Sequence, residues 1–294
     1  MTSKLEKLAV ELLPTERAAT LIVRCIEEDG GLLGDVTSHS IFKGGDKGTF
    51  NFVVRGEGIL SGLEPIMRGV ANFSGVEMVQ QVQDGSKVHN QVIATISGSL
   101  KLILVLERSI LNLLSHASGI ATRTSKFVEA VQGTNCNICD TRKTTPGLRH
   151  LDKYAVACGG GMLHRIGLDD AALYKDNHLC QLDDLESDLA NAIQIAKEQQ
   201  LKFVEVEVDS IDQLKKVLPL EVDMILLDNM TLEQLQESVT LRNQLNPAIQ
   251  LEASGGVTLE TVRSIAETGV DRIAIGSLTH QATWLDIGLD ACHE

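Results

Sequence analysis

Six short apolar segments recur through the second half of this 294-residue chain, at residues 137–140, 172–175, 203–208, 224–228, 249–253 and 272–275. Helical patterns at 185–199, 211–217, 232–245 and 259–268 separate most of them. Such alternation leaves few folds open, because parallel strands need crossovers and those crossovers are right-handed. The expectation is an α/β barrel, and six strands instead of eight predict an irregular one. The strand ends carry the chemistry. Lys143 follows the first strand, while Lys175, Glu207 and Asp228 end the second, third and fourth. Ser254, Gly255 and Gly256 follow the fifth, and Gly276 and Ser277 the sixth. Barrel enzymes build their sites at this C-terminal rim. A purely structural protein has little reason to place ionisable or phosphate-friendly residues at every rim position, so the pattern points to an enzyme.

The first 115 residues read differently. Short strands are expected at 51–54, 58–60 and 92–96, with turns at Gly44–Gly45 and Asp84–Gly85. Helical patterns cover the first 28 residues and 64–73. Together they predict a mixed α/β sandwich over 1–115, ahead of a barrel over 116–280; a tail, 281–294, is expected to pack back onto the sandwich. A long helix starting near Lys101 bridges the halves. Leu106, Ile110, Leu113 and Ala117 share its apolar face, with Arg108, Asn112 and Ser115 roughly opposite.

Net charge is −14, yet residues 140–178 hold Arg142, Lys143, Arg149, Lys153, Arg165 and Lys175 together with His150, His164 and His178. Cations gathered against so acidic a background suggest a focused pocket for a small, multiply charged anion. Arginine offers a fork that suits carboxylate or phosphate, and lysine a movable point charge. Aromatics at 3% and a net negative charge leave little for nucleic acid to bind, so that partner is excluded. The longest aliphatic run, residues 102–106, is far too short to span a bilayer. The first 17 residues mix both charges without an apolar core, unlike a secretory signal. Six scattered cysteines, including the lone Cys136/Cys139 pair, fit reduced thiols in a cytoplasmic protein better than a metal site.

The segment over 140–178 resembles the signature of the quinolinate phosphoribosyltransferase family. Similar ordered motifs occur at GDVTS (34–38), RGEGILSGLE (55–64), ERSILNLLSHASGIAT (107–122) and VEVEVDS (204–210). ILLDN (225–229), LEASGGV (251–257) and IAIGSLTH (273–280) continue the series. The chain departs at Leu163, where the family usually has Asn, and at Ala157, where a basic residue is common.

The resemblance implies transfer of a phosphoribosyl group from 5-phosphoribosyl-1-pyrophosphate to quinolinate, with decarboxylation to nicotinate mononucleotide. Quinolinate's two carboxylates fall to Arg108, Arg142, His164 and Arg165, with Lys143 and Lys175 deeper in the site. The phosphoribosyl donor falls to Lys143, Lys175, Glu207, Asp228, Ser254, Gly255, Gly256, Gly276, Ser277 and His280. Lys143, Lys175, Glu207 and Asp228 form the catalytic set. Glu207 and Asp228 are the expected Mg²⁺ ligands, since a hard cation takes one or two carboxylates and substrate oxygens; a buried ion pair with a barrel lysine is the competing reading. Glu205 shares a strand face with Glu207. Arg108 is expected to reach the neighbouring subunit's site in a homodimer, with larger assemblies possible. Three other activities compete: a nicotinate phosphoribosyltransferase, a Schiff-base aldolase using Lys143 or Lys175, and a non-catalytic anion-binding relative.

Overall fold

A computed structural model describes residues 4–292 of the chain. It divides into two compact units. The first comprises residues up to Ser125, Thr145–Gly160 and the residues from Leu278 onward; the second comprises Lys126–Thr144 and Gly161–Ser277. The boundary expected at residue 115 therefore lies inside a helix, ahead of the division at Ser125.

The first unit begins with helices α1 (Lys4–Leu12), α2 (Thr15–Gly30) and α3 (Val36–Ile41), followed by β1 (Lys47–Val54) and β2 (Glu57–Ile59). Next come α4 (Leu63–Val70), β3 (Val76–Gln80), β4 (Lys87–His89), β5 (Val92–Ser99) and the 31-residue α5 (Leu100–Ala130). The short α3 was not expected. Asp35 starts it by accepting the Ser38 amide at 3.0 Å. α2 and α4 pack closely at Gly69, where a Cβ would meet Ile22 Cδ1 at 2.8 Å. Strands β1, β5 and β3 form an antiparallel sheet whose other edge is β12 (Ile287–Ala291). The paired register Phe52↔Leu289 and Val54↔Ile287 brings the chain's end back onto this unit. β3 and β4 escaped the sequence reading because both are short and largely half-buried or exposed, with little apolar contrast.

The second unit holds β6 (Asn137–Cys139), β7 (Ala172–Tyr174), β8 (Val204–Val208), β9 (Met224–Asp228), β10 (Gln250–Ser254) and β11 (Arg272–Ala274). Between them run α6 (Arg149–Cys158), α7 (Asp176–Leu179), α8 (Leu185–Glu198), α9 (Ile211–Val217), α10 (Leu232–Leu245) and α11 (Val262–Glu267), with the single turn α12 (Ser277–His280) following. Residues 149–158, expected within the 116–280 barrel, form α6 and belong to the first unit. All six strands are parallel, in the order β6-β11-β10-β9-β8-β7. Sequence-adjacent β6 and β7 stand at opposite edges, so the hydrogen-bonded barrel is incomplete. Beyond β6, Met162 adds one parallel bridge to Cys139.

Side-chain alternation explains what this sheet does. On β8, Val204, Val206 and Val208 face one way, while Glu205 and Glu207 face the other; all five are buried. Register places Glu207 beside Leu226, Leu226 beside Glu252, and Glu252 beside Arg272. The inner face is therefore strongly polar. Helices start just past the strand ends because their caps are there: Ser210 accepts the Gln213 amide, and Thr231 forms a reciprocal capping box with Gln234.

Candidate active site

The rim of the parallel sheet gathers most of the expected residues within one unit. Glu207 and Asp228 end adjacent strands on the same inner face, since Glu207 pairs with Leu226 and Asp228 lies two residues beyond. Lys175, just after β7, donates to Glu207 Oε2. The ion pair foreseen as the alternative for Glu207 is thus formed, though half-exposed Lys175 retains access to solvent. Asp228 pairs in register with Ser254 and accepts the Asn229 side-chain amide at 2.7 Å. Asn229 has φ +53° and donates its backbone N–H to the Ser254 carbonyl at 2.9 Å.

Behind Ser254 the backbone turns sharply. Gly255 has φ +105°, and a Cβ there would stand 2.1 Å from Asn229 Oδ1. Only glycine fits that position, which leaves main chain free at the rim. Gly256 is exposed with φ +56°, and Gly276 and Ser277 are half-buried past β11. Arg108 and His280 lie in the first unit, and both are exposed. Along α5, Arg108 and Asn112 are exposed as expected, but Ser115 is buried, its carbonyl accepting the Leu285 amide at 3.1 Å.

Two guanidiniums lie near enough for their charges to interact. Burial first, then the nearby Arg142 charge, pulls Arg165 below the usual arginine range. Arg165 Nη1 donates to the Ala171 carbonyl at 3.3 Å. Arg142 Nε is buried without a hydrogen-bond partner among the described residues. A buried, unmet N–H beside a second guanidinium is an arrangement that an anion completes. Lys143 follows on the same loop, its amide held by Thr141 Oγ1 at 3.0 Å.

His164, expected to meet the substrate's carboxylates, is buried, 6% exposed, with its Nε2 toward two acidic side chains of the same unit. Its Nε2 lies 2.9 Å from Glu205 and 3.2 Å from Glu252, both fully buried. These are ion-pair distances without aligned hydrogen-bond geometry at the carboxylate oxygens. Its Nδ1 accepts the Arg165 backbone N–H at 2.8 Å. Two inward carboxylates one layer below the rim need partners: Arg272 faces Glu252, and His164 Nε2 faces both. Glu252 and Arg272 were missed by sequence reasoning. Strict alternation within residues 250–254, which puts Glu252 on the face of Ser254, was the signal that could have found the first.

Burial opposes a charged imidazole, yet Glu205 and Glu252 outweigh it and push His164 up to about 9. Burial beside Glu252 likewise pushes the Glu205 carboxyl up. The Arg165 amide occupies Nδ1, so the proton this cluster holds lies on the Nε2–carboxylate side. Cys136 and Cys139 are free, and burial pushes both thiols up, with Cys136 at about 12. They form no metal-binding group among the described residues; only His164, Glu205 and Glu252 cluster in that way.

Comparison with known proteins agrees with this geometry. The family model "Quinolinate phosphoribosyl transferase, C-terminal domain" matches residues 120–290, and its N-terminal counterpart matches residues 35–118. The chain is 40% identical over 279 residues to the nicotinate-nucleotide pyrophosphorylase [carboxylating] of Mycobacterium leprae (strain TN), covering 94% of this chain and 97% of that one. It is 36% identical to the mitochondrial quinolinate phosphoribosyltransferase [decarboxylating] 2b of Nicotiana tabacum, covering 94% and 82%. Among solved structures, the nicotinate-nucleotide pyrophosphorylase of Francisella tularensis superposes with a TM-score of 0.85 at 34% identity, covering 95% and 97%. That of Ehrlichia chaffeensis gives 0.84 at 38%, covering 93% and 98%. Matched along nearly its whole length in both sequence and fold, the chain belongs to the quinolinate phosphoribosyltransferase family.

Proposed function

We propose that this enzyme transfers the phosphoribosyl group of 5-phosphoribosyl-1-pyrophosphate to quinolinate and releases CO₂, forming nicotinate mononucleotide and pyrophosphate. Relatives named for that reaction cover nearly the whole chain. The observation that carries the reading into this site is the Arg142–Arg165 pair, with one buried N–H unmet. A dicarboxylate answers two adjacent guanidiniums; the single carboxylate of nicotinate would leave one without a partner.

In this reading Arg142 and Arg165 hold the two carboxylates and orient the pyridine nitrogen toward the anomeric carbon. The nitrogen's lone pair forms the new C–N bond as the carbon–oxygen bond to pyrophosphate breaks, and that bonding pair leaves with pyrophosphate. Glu207 and Asp228 sit where the ribose hydroxyls and the developing positive charge would lie. Ser254 and the open backbone at Gly255, Gly256, Gly276 and Ser277 suit the 5-phosphate, with His280 as a further candidate. Once the ring nitrogen is cationic, the neighbouring carbon–carboxylate bond can break, its electron pair staying on the ring as CO₂ departs. Lys143 is the first candidate to deliver the proton that replaces it, with Lys175 close to both substrates.

The donor set also fits Mg²⁺: two acceptor-only carboxylates end adjacent strands on one face, beside a rim open to substrate oxygens. Bound there by Glu207 and Asp228, the ion would neutralise charge on the pyrophosphate. Glu207's engagement with Lys175 means that a metal must compete with an ammonium for this carboxylate.

Release of labelled CO₂ from carboxyl-labelled quinolinate, with and without the donor and Mg²⁺, tests the reaction. Turnover of nicotinate instead, or binding without pyrophosphate release, would reject it. Among the described residues no helix is long and apolar enough to cross a membrane, and the six thiols are free; we place the enzyme in the cytoplasm.

Arg108 we assign to the site of a second copy, in a two-fold dimer. Its exposure on α5, away from that helix's apolar stripe, supports this. Arg108→Ala and Lys143→Ala should each be nearly inactive. After co-refolding in equal amounts, roughly a quarter of normal activity should return, because half the dimers are mixed and each carries one complete site. Activity no greater than the two variants' sum, despite proven exchange, would confine Arg108 to its own chain.

A further inference from the structure

Beneath the rim, four ionisable side chains fill space that the inward positions of a barrel usually give to aliphatic groups. Glu205 and Glu252 are fully buried, and His164 and Arg272 nearly so. Arg272 Nε lies 2.9 Å from Glu252 Oε2 and 3.2 Å from Cys139 Sγ, and its Nη1 lies 3.1 Å from Met224 Sδ. His164 faces Glu205 and Glu252 with Nε2 and meets Phe203 edge-on at 5.4 Å. An apolar filling of the same volume would be at least as stable, because desolvating charges costs about what pairing them returns. A gain in stability over an apolar filling is therefore not what the four groups supply.

They supply a fixed ring. With Nε2 drawn to the carboxylates, His164 presents Nδ1 to the Arg165 backbone N–H at 2.8 Å. Asp140 Oδ1 accepts the His164 backbone N–H at 2.7 Å, holding the same short stretch from the strand β6 side. Arg272 neutralises Glu252, and the proton on the Nε2 side of the imidazole faces Glu205. Although His164, Glu205 and Glu252 also satisfy the spacing of a metal-binding trio, the positive charge they need is already built in.

We infer that Glu205, Glu252 and Arg272 are positioning residues for substrate binding: acting through His164, they set the backbone and hence the guanidinium of Arg165. This rests on Arg165 being a ligand of quinolinate. None of the three touches the substrate, so the signature of their loss is selective. It falls on quinolinate more than on the phosphoribosyl donor: the donor's candidate ligands end the same strands, but the contacts that leave this cluster through His164 run to the Arg165 backbone.

The test uses the full-length enzyme and measures KM for each substrate, kcat and thermal midpoint in Glu205→Gln, Glu252→Gln, Arg272→Met and Arg272→Lys. The two Gln variants keep the shape and remove the charge. They should raise the quinolinate KM roughly tenfold, with the donor KM within about twofold. Arg272→Lys, which keeps a cation beside Glu252, should recover most of the quinolinate affinity that Arg272→Met loses. Parallel rises in both KM values, or a lowered midpoint with unchanged KM, would overturn the inference. If the single Gln variants do not fold, the double variant Glu252→Gln/Arg272→Gln, which leaves no orphaned charge from that pair, makes the same comparison. Arg165→Ala separates the layers: should it leave the quinolinate KM unchanged, the ligand assignment falls and takes this inference with it. A large effect there, with none in the Gln variants, sinks the positioning role alone.

Discussion

The two sheets of this molecule treat their covered faces in opposite ways. In the antiparallel sheet of the first unit, Phe52, Val54, Ile93 and Ile96 are almost wholly buried and apolar. In the parallel sheet of the second, the inward face carries Glu205, Glu207, Asp228, Glu252 and Arg272. Both faces obey the same two-residue alternation. What differs is what the buried positions contribute: area removed from water in one case, and fixed charge beside a rim in the other. Core substitutions in the first unit should therefore act on stability, and inward substitutions in the second on kinetics.

The widest separation should come from Glu207 and Asp228 set against Phe52. Glu207→Ala or Asp228→Ala should lower kcat by about 10²- to 10³-fold, as expected for lost electrostatic stabilisation of developing charge. Quinolinate KM should change little, because that substrate is held elsewhere. Phe52→Ala should instead cost about 3–5 kcal/mol of stability through the cavity it leaves. Kinetic constants per folded molecule should stay near normal, as urea unfolding and active-site titration would show together. A rim variant with normal turnover but weakened quinolinate binding would reverse the assignment, and a Phe52 variant with a selective KM defect would dissolve the contrast.

A smaller effect, within the second unit, distinguishes its two kinds of charge. Arg142→Ala and Arg165→Ala should raise the quinolinate KM by roughly 10- to 100-fold, the worth of one or two charge-assisted hydrogen bonds. Binding of a pyridine without carboxylates, measured by calorimetry, should barely change. If that neutral analogue lost affinity equally, the two arginines would be shaping the pocket instead of recognising carboxylates.

Sequence patterning reached the rim more easily than the layer below it. Strand ends are marked by a change from apolar to charged, polar or glycine, as at Leu227–Asp228–Asn229 or Ala253–Ser254–Gly255, so rim residues announce themselves. The central parallel strands β8, β9 and β11 were legible because they are buried on both faces. The partners of His164 were not legible because it sits in a loop between Leu163 and Arg165, where no periodicity says which way a ring turns. Its direction depends on Glu205 and Glu252, some 41 and 88 positions further along the chain. The pairing of β12 with β1 is equally non-local, and nothing periodic in residues 281–294 names the partner strand. Strands β3 and β4 stayed hidden because half-exposed strands lack the contrast on which pattern reading depends.

The smallest predicted effect concerns pH. His164 is pushed up to about 9, above the ordinary histidine value. A group whose folded value is raised contributes stability that is complete below its unfolded value, near 6.5, and is lost as pH rises through about 9. Glu205, also raised, acts in the same direction. The Arg165 amide at Nδ1 opposes full protonation of the ring, so the loss should be about 1–2 kcal/mol, well under what the shift alone would give. The second unit should therefore unfold more readily at pH 9 than at pH 6.5, while a sheet core built from Phe52 and Ile96 has nothing to titrate. Thermal midpoints across that range, compared with those of His164→Gln, isolate the contribution, since other titrating groups are common to both proteins. The native profile should fall more steeply than the variant's; parallel profiles would mean that the buried carboxylates draw their compensating charge from Arg272 alone.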